Sequence, residues 1–383
     1  MSFRVTVIGV GGVGWYFGAR LAQGGCDVGF VARGVQLAAL REHGLRVEGD
    51  LGQIYLPQIR VSENPETLGR ADVVLICVKL WDTESAARAV QSIVGPETAV
   101  ISLQNGVGKE ALLSNTLGAQ CVVGGICYVA AKILRPGVIL QTGKMQRLIF
   151  GECDGSASAR TQKFLDLCLR CGIDAEISPN IQRAIWEKFV FITGTSATTA
   201  TMRATIGPIR SNPRTRSLLL EIMREVVAVG RAHGVSLDED FAETRLAFCD
   251  RLSPDMTSSM HTDLEHGRPL EVEWLSGSVV ELGEKVGVPT PLNRAVRDIL
   301  ELRVGARSIS QVLAGLERGS RGFAPCLLLK ENPLGSSFKR LEMFRILLVV
   351  FLMIILCGIK FHRRQNFGYD RFLEFPGMRQ FFL

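Results

Sequence analysis

Residues 3–22 read Phe3-Arg-Val-Thr-Val-Ile8, Gly9-Val-Gly-Gly-Val-Gly14, Trp15-Tyr-Phe-Gly-Ala-Arg-Leu-Ala22, and this stretch decides the fold. The first six residues form an apolar, β-branched run, and the last eight carry apolar residues at helical spacing. Between them stands a glycine turn with glycines at positions 9, 11 and 14. Strand, tight turn and helix in this order give a glycine pattern its meaning: Gly9 permits the turn, Gly11 lets a pyrophosphate approach the backbone, and Gly14 allows the helix to pack closely on the strand. The helix N-terminus then faces the phosphate charge. The turn Gly9, Val10, Gly11, Gly12, Val13 and Gly14 is therefore the candidate dinucleotide-binding loop.

The same texture continues downstream. Apolar runs at 27–32, 71–78 and 98–103 alternate with helical patterns, which predicts a parallel sheet covered on both faces. Shorter strand signals follow at 120–123, 137–142 and 147–151, then a helix at 158–171 and a strand at 174–177. From about residue 180 the pattern turns helical, with long helices expected at 181–206, 215–233, 238–252 and 270–286. The reading is an α/β chain: a Rossmann-type domain over 1–178, an all-helical domain over 179–307, and the active site in the cleft between them. The boundary falls at Ser178-Pro179-Asn180, where Pro and Asn suit a helix cap.

Residues at the predicted strand ends carry the first functional reading. Arg33 follows the second strand, where an NAD-binding chain places an acidic residue to hold the ribose hydroxyls; a guanidinium instead pairs with a 2′-phosphate, so NADPH is expected over NADH. Lys79 and Asn105 end the third and fourth parallel strands, on the carboxyl edge where such sheets bind ligands, and are candidate cofactor and substrate contacts.

Composition narrows the partners. The 383 residues are 47% hydrophobic and 21% charged, ordinary for a globular chain of two domains. Of the 44 basic and 38 acidic residues, 8 and 3 fall after residue 338, leaving 36 against 35 in the body. A nearly neutral body has no field with which to hold nucleic acid, and a small-molecule partner is expected. Ten cysteines are scattered through apolar runs. The close pair Cys168 and Cys171 lacks a second pair or a nearby histidine, and His261 and His266 do not share a helical face, so no metal site is expected. The amino terminus carries no secretory pattern, which places the chain in the cytoplasm.

The motifs together resemble the ketopantoate reductases (2-dehydropantoate 2-reductases): the glycine turn, Arg33, Val78-Lys79, Gln104-Asn105-Gly106, Trp186-Glu-Lys188, and Ser258-Ser-Met260 followed by Glu271. The resemblance spans residues 3–305. It implies NADPH-dependent reduction of a 2-keto acid, 2-dehydropantoate to (R)-pantoate on the way to pantothenate and coenzyme A, and often a homodimer. It also implies roles. Lys188 is the catalytic lysine and Glu271 the glutamate contacting lysine or substrate; Ser259 holds the substrate carboxylate, Asn105 sits near the nicotinamide ribose, and Lys79 helps bind substrate or cofactor. The chemistry agrees with the lysine: hydride transfer places negative charge on the carbonyl oxygen, where a proton donor is worth most. An exposed Lys188 paired with Glu187 is the alternative. A non-catalytic NADPH-sensing module is the alternative from another class.

This chain departs from the resemblance at three positions. Ile192, Ser196 and Met256 stand where amide side chains are expected. A more apolar wall favours another branched or aromatic 2-keto acid.

Residues 308–383 break in composition. The tail from residue 339 holds 8 of the 19 phenylalanines, and residues 346–359 are 14 uncharged residues, about 21 Å as helix against a bilayer core of about 30 Å. Residues 344–361 are a candidate membrane anchor; an extension unnecessary for catalysis is the competing reading.

Overall fold

The computed structural model describes residues 3–9 and 11–303. The readings of Val10, of 308–383 and of the 344–361 anchor fall outside them. In chain order the elements are β1 (Arg4–Ile8), α1 (Gly12–Gln23), β2 (Asp27–Val31), α2 (Gly34–His43), β3 (Leu45–Gly49), β4 (Ile54–Leu56), β5 (Arg60–Ser62), β6 (Val73–Ile76), α3 (Thr83–Val90), β7 (Ala99–Ser102), α4 (Lys109–Leu117), β8 (Val122–Arg135), β9 (Val138–Glu152), α5 (Ala159–Arg170) and β10 (Asp174–Ile177). The helical half follows: α6 (Ile181–Met202), α7 (Ile206–Ser211), α8 (Pro213–Ala232), α9 (Phe241–Cys249), α10 (Ser259–Glu265), α11 (Ser278–Val286) and α12 (Pro291–Leu300).

Strands β5, β2, β1, β6, β7 and β8 lie side by side and parallel. These six strands are the parallel Rossmann-type core expected, and the sheet extends beyond them as a mixed one: β8 and β9 pair antiparallel, as do β3 and β4, while β3 and β10 run parallel to β9. The reason is local. Only Pro136 and Gly137 separate β8 from β9, and two residues close a hairpin but cannot carry a parallel crossover. The short signals expected at 137–142 and 147–151 fall in β9, and that at 120–123 enters β8 only from Val122, after a turn over Ala119–Cys121. β3, β4 and β5 had no prediction; they are three to five residues each, too short for a clear alternation.

Both sheet faces are covered. On one, Val5, Val7, Val73 and Leu75 pack with Trp15, Phe17 and Leu21 of α1 and Phe164 of α5; on the other, Ile8, Val74 and Ile76 pack with Ala86, Val90 and Leu113 of α3 and α4. Each large side chain so buried contributes on the order of 1.5–3 kcal/mol of transfer free energy.

The helical half is built on α6. Its Asn180 side chain accepts the Arg183 N–H at 3.0 Å, a cap where the sequence suggested one. The helix is rich in threonine, and most of its threonine hydroxyls are satisfied within the helix by donating back to its carbonyls: Thr195 to Phe191, Thr198 to Gly194, and Thr199 to Thr195 at 2.7–2.9 Å. The expected helix over 181–206 stops at Met202, because Arg203 turns left-handed with φ +48°. The helix expected at 270–286 is regular only from Ser278, after a wide turn over Glu273–Gly277. No helix among the described residues is long and apolar enough to cross a membrane.

Candidate active site

The glycine turn meets the geometry its sequence requires. Gly9 has φ +114°, and a Cβ there would sit 2.7 Å from the Cys77 carbonyl carbon. At Gly14 a Cβ would fall 2.8 Å from Cys77 Cβ, so this glycine sets the contact between α1 and β6. Gly11 differs: its nearest neighbour would be Cys77 O at 3.5 Å, which leaves open room over the helix start. A Cβ on Gly12 would strike the Ala131 carbonyl of β8. The Val13 side chain packs on the core, leaving its backbone N–H to the helix end. Among the described residues no side chain caps α1, and its first turn holds no acid, which leaves its N-terminal N–H groups to an anion.

Arg33 stands two residues beyond β2, exposed, its side chain making no hydrogen bond or ion pair among the described residues. It is free to meet a ligand phosphate.

Beyond β6, Lys79 is clamped. Its Nζ lies 2.8 Å from Asp263 Oδ2 and 2.9 Å from Glu271 Oε2. The second Glu271 oxygen accepts the Leu80 N–H at 3.1 Å, so one carboxylate ties the end of β6 to the helical half. Burial would lower the Lys79 pKa, but the fields of Glu271 and Asp263 outweigh it and raise it. Lys79 is therefore a fixed cation. Gln104 braces the neighbouring strand ends, donating to Val78 O at 3.0 Å and Thr83 Oγ1 at 2.8 Å while accepting from Ser102. Asn105 follows it, half-buried, with no side-chain hydrogen bond among the described residues. Glu273, by contrast, points elsewhere, toward Glu301 and Arg297.

Lys188 lies on α6, and the structure overturns its exposed alternative. The residue is 8% exposed, and Glu187 pairs with Arg183 at 2.8 Å instead. The Lys188 side chain makes no ion pair or hydrogen bond with Glu271 or any other described residue. Its Nζ lies over Tyr128, 5.6 Å from the ring centroid. Burial lowers its pKa below the usual lysine value, and the nearby Lys109 charge pushes the same way. Such an amine gives up its proton more readily than an ordinary lysine.

The α10 start meets the far end of the same helix. Ser258 Oγ is 2.7 Å from Thr199 Oγ1 and accepts the His261 N–H, whereas Ser259 is exposed and its hydroxyl has no partner among the described residues. Between Lys188 and Thr199 on α6 stand Ile192, half-buried on the helical core, and Ser196, buried with its hydroxyl unpartnered. Met256 also packs on that core.

The fold thus joins Lys79 with Glu271 and leaves Lys188 apart from both. Sequence reading missed Asp263 as a partner of Lys79, although its place one helical turn after Ser259 was a signal. It also missed Tyr128, a lone aromatic inside a β run, which carried no signal.

Residues 5–155 match the family described as Ketopantoate reductase PanE/ApbA, and residues 180–303 match its C-terminal domain. The chain is 32% identical to 2-dehydropantoate 2-reductase of Archaeoglobus fulgidus, over 78% of this chain and 96% of that one. It is also 32% identical to the Halobacterium salinarum enzyme of the same name, over 78% and 98%. Among solved structures, 2-dehydropantoate 2-reductase of Geobacter metallireducens superposes with TM-score 0.74 at 28% identity, covering 78% of this chain and 99% of that one.

Proposed function

Because this chain belongs to the ketopantoate reductase PanE/ApbA family, we propose that it is an NADPH-dependent oxidoreductase reducing 2-dehydropantoate to (R)-pantoate, a step toward pantothenate and coenzyme A. The observation that carries the mechanism is the buried, unpaired Lys188 ammonium.

The residues present fit the cofactor. The uncapped start of α1, with open room above Gly11, suits a pyrophosphate, and the free Arg33 guanidinium suits a 2′-phosphate. NADPH, when bound, supplies the hydride.

The chain's own residues manage the charge that results. In this reading Lys188 Nζ hydrogen-bonds the ketone oxygen and gives it a proton as negative charge develops there. Its depressed pKa eases that transfer. Glu271 holds Lys79 at the mouth of the site, Asn105 orients the ribose and carbonyl, and Ser259 offers its free hydroxyl to the substrate carboxylate. The reading keeps the division at residues 178/179, the cytoplasmic setting and the homodimer expected from the sequence.

Replacing Lys188 by alanine tests this directly. NADPH oxidation with 2-dehydropantoate should fall about 100- to 10,000-fold, while NADPH affinity, read by fluorescence titration, stays within a few-fold. Full turnover in the variant would sink the proposal.

Ile192 and Met256 support a second reading at the same site. Their apolar side chains offer no hydrogen bond to a hydroxylated substrate, which favours a branched or aromatic 2-keto acid.

A further inference from the structure

A 2-keto acid brings a full negative charge beside its carbonyl, and a carboxylate entering a part-buried cleft needs a cation to meet it. The residues assigned so far do not supply one. Lys79 already faces two carboxylates, Asp263 and Glu271, and Arg268, 3.3 Å from Asp263, only balances the excess acid. Lys188 is committed to the ketone oxygen. Ser259 and Asn105 are neutral.

One further guanidinium without a partner among the described residues stands on α9, which packs against α6. Arg245 is half-buried on α9, its Cζ 4.8 Å from the Phe241 ring centroid and 5.5 Å from that of Phe248. Its Nε is buried with no hydrogen-bond partner, and its guanidinium forms no ion pair among the described residues. Phe248 packs edge-on against Phe191 of α6, with centroids 5.3 Å apart, and Phe191 is one helical turn beyond Lys188. On the other side, Tyr128 covers Lys188 Nζ. The Tyr128 phenol is raised to about 12 by burial, with the Arg245 charge the largest influence opposing that rise. The packing of α9 on α6 through Phe248 and Phe191 thus carries Arg245 toward the helix face that bears Lys188.

We propose that Arg245 pairs with the substrate carboxylate while Lys188 protonates the adjacent carbonyl. The planar fork suits a carboxylate, and stacking on Phe241 and Phe248 restricts the guanidinium before the ligand arrives. Arg245 is then a binding residue that makes the site select acids over neutral ketones. The inference rests on the 2-keto acid reading above.

Steady-state kinetics of Arg245→Gln and Arg245→Lys with 2-dehydropantoate, together with inhibition by pantoate and by its neutral amide, test it on the full-length protein. In Arg245→Gln, the keto acid KM and the pantoate inhibition constant should each rise about 10- to 100-fold, the size of a lost charge-assisted pair. The amide's inhibition constant, kcat and the NADPH KM should stay within about threefold, and Arg245→Lys should recover part of the loss. An unchanged KM overturns the proposal, and so does an equal weakening of acid and amide, which marks a structural role. A wild-type protein that oxidises no NADPH with the keto acid would instead defeat the functional reading itself.

Discussion

Glu271 closes on Lys79 at 2.9 Å, and Lys188 stands outside that pair. The carboxylate also takes the Leu80 N–H, so it joins the carboxyl end of β6 to the segment that leads into α11. Two lysines thus hold different electrostatic positions: Lys79 is a cation fixed between two carboxylates, and Lys188 is buried with no ion pair among the described residues.

That difference makes Lys79 and Glu271 a unit. A kinetic double-mutant cycle of Lys79→Met and Glu271→Gln should give a coupling energy of about 1–3 kcal/mol in kcat/KM. Additive losses would show that the two act independently.

The depressed Lys188 pKa fixes the sign of the pH dependence. The ammonium form is the acid, so kcat should be level on the acidic side and fall as pH rises through a value below the ordinary 10.5. Tyr128 titrates only at about 12. Its replacement by phenylalanine should therefore leave the limb in the rate profile; disappearance of the limb in that variant would transfer the proton donor role to the phenol.

Arg33 is exposed and free after β2. In Arg33→Ala the NADPH KM should rise about 10- to 100-fold while the NADH KM hardly moves, because only the 2′-phosphate loses a charge-assisted contact. Equal effects on both cofactors would place Arg33 elsewhere.

Ile192 and Met256 should decide between hydroxylated and apolar substrates. Introducing asparagine at both should raise kcat/KM for 2-dehydropantoate relative to 3-methyl-2-oxobutanoate by about tenfold, the worth of one or two hydrogen bonds. A panel of keto acids measures this. An unmoved ratio would remove these two side chains from the specificity wall.

Local chemistry made much of this legible before any fold was considered. The run from Phe3 to Ala22 determined the strand, turn and helix, because an apolar β run, a glycine that must take φ +114° and a helical stripe each act within a few residues. Arg33, Lys79 and Asn105 were readable for the same reason: a strand end in a parallel sheet is a sequence position. The antiparallel β8–β9 arm was coded in the two-residue Pro136-Gly137 link, but its length needed cross-strand pairing to appear. Tertiary structure alone decided that Glu271 takes Lys79, that Glu187 turns to Arg183, and that Tyr128 of β8 lies over the Lys188 amine of α6. Burial and pairing of charge depend on which distant surfaces meet, and such meetings leave no mark in the spacing of residues along the chain.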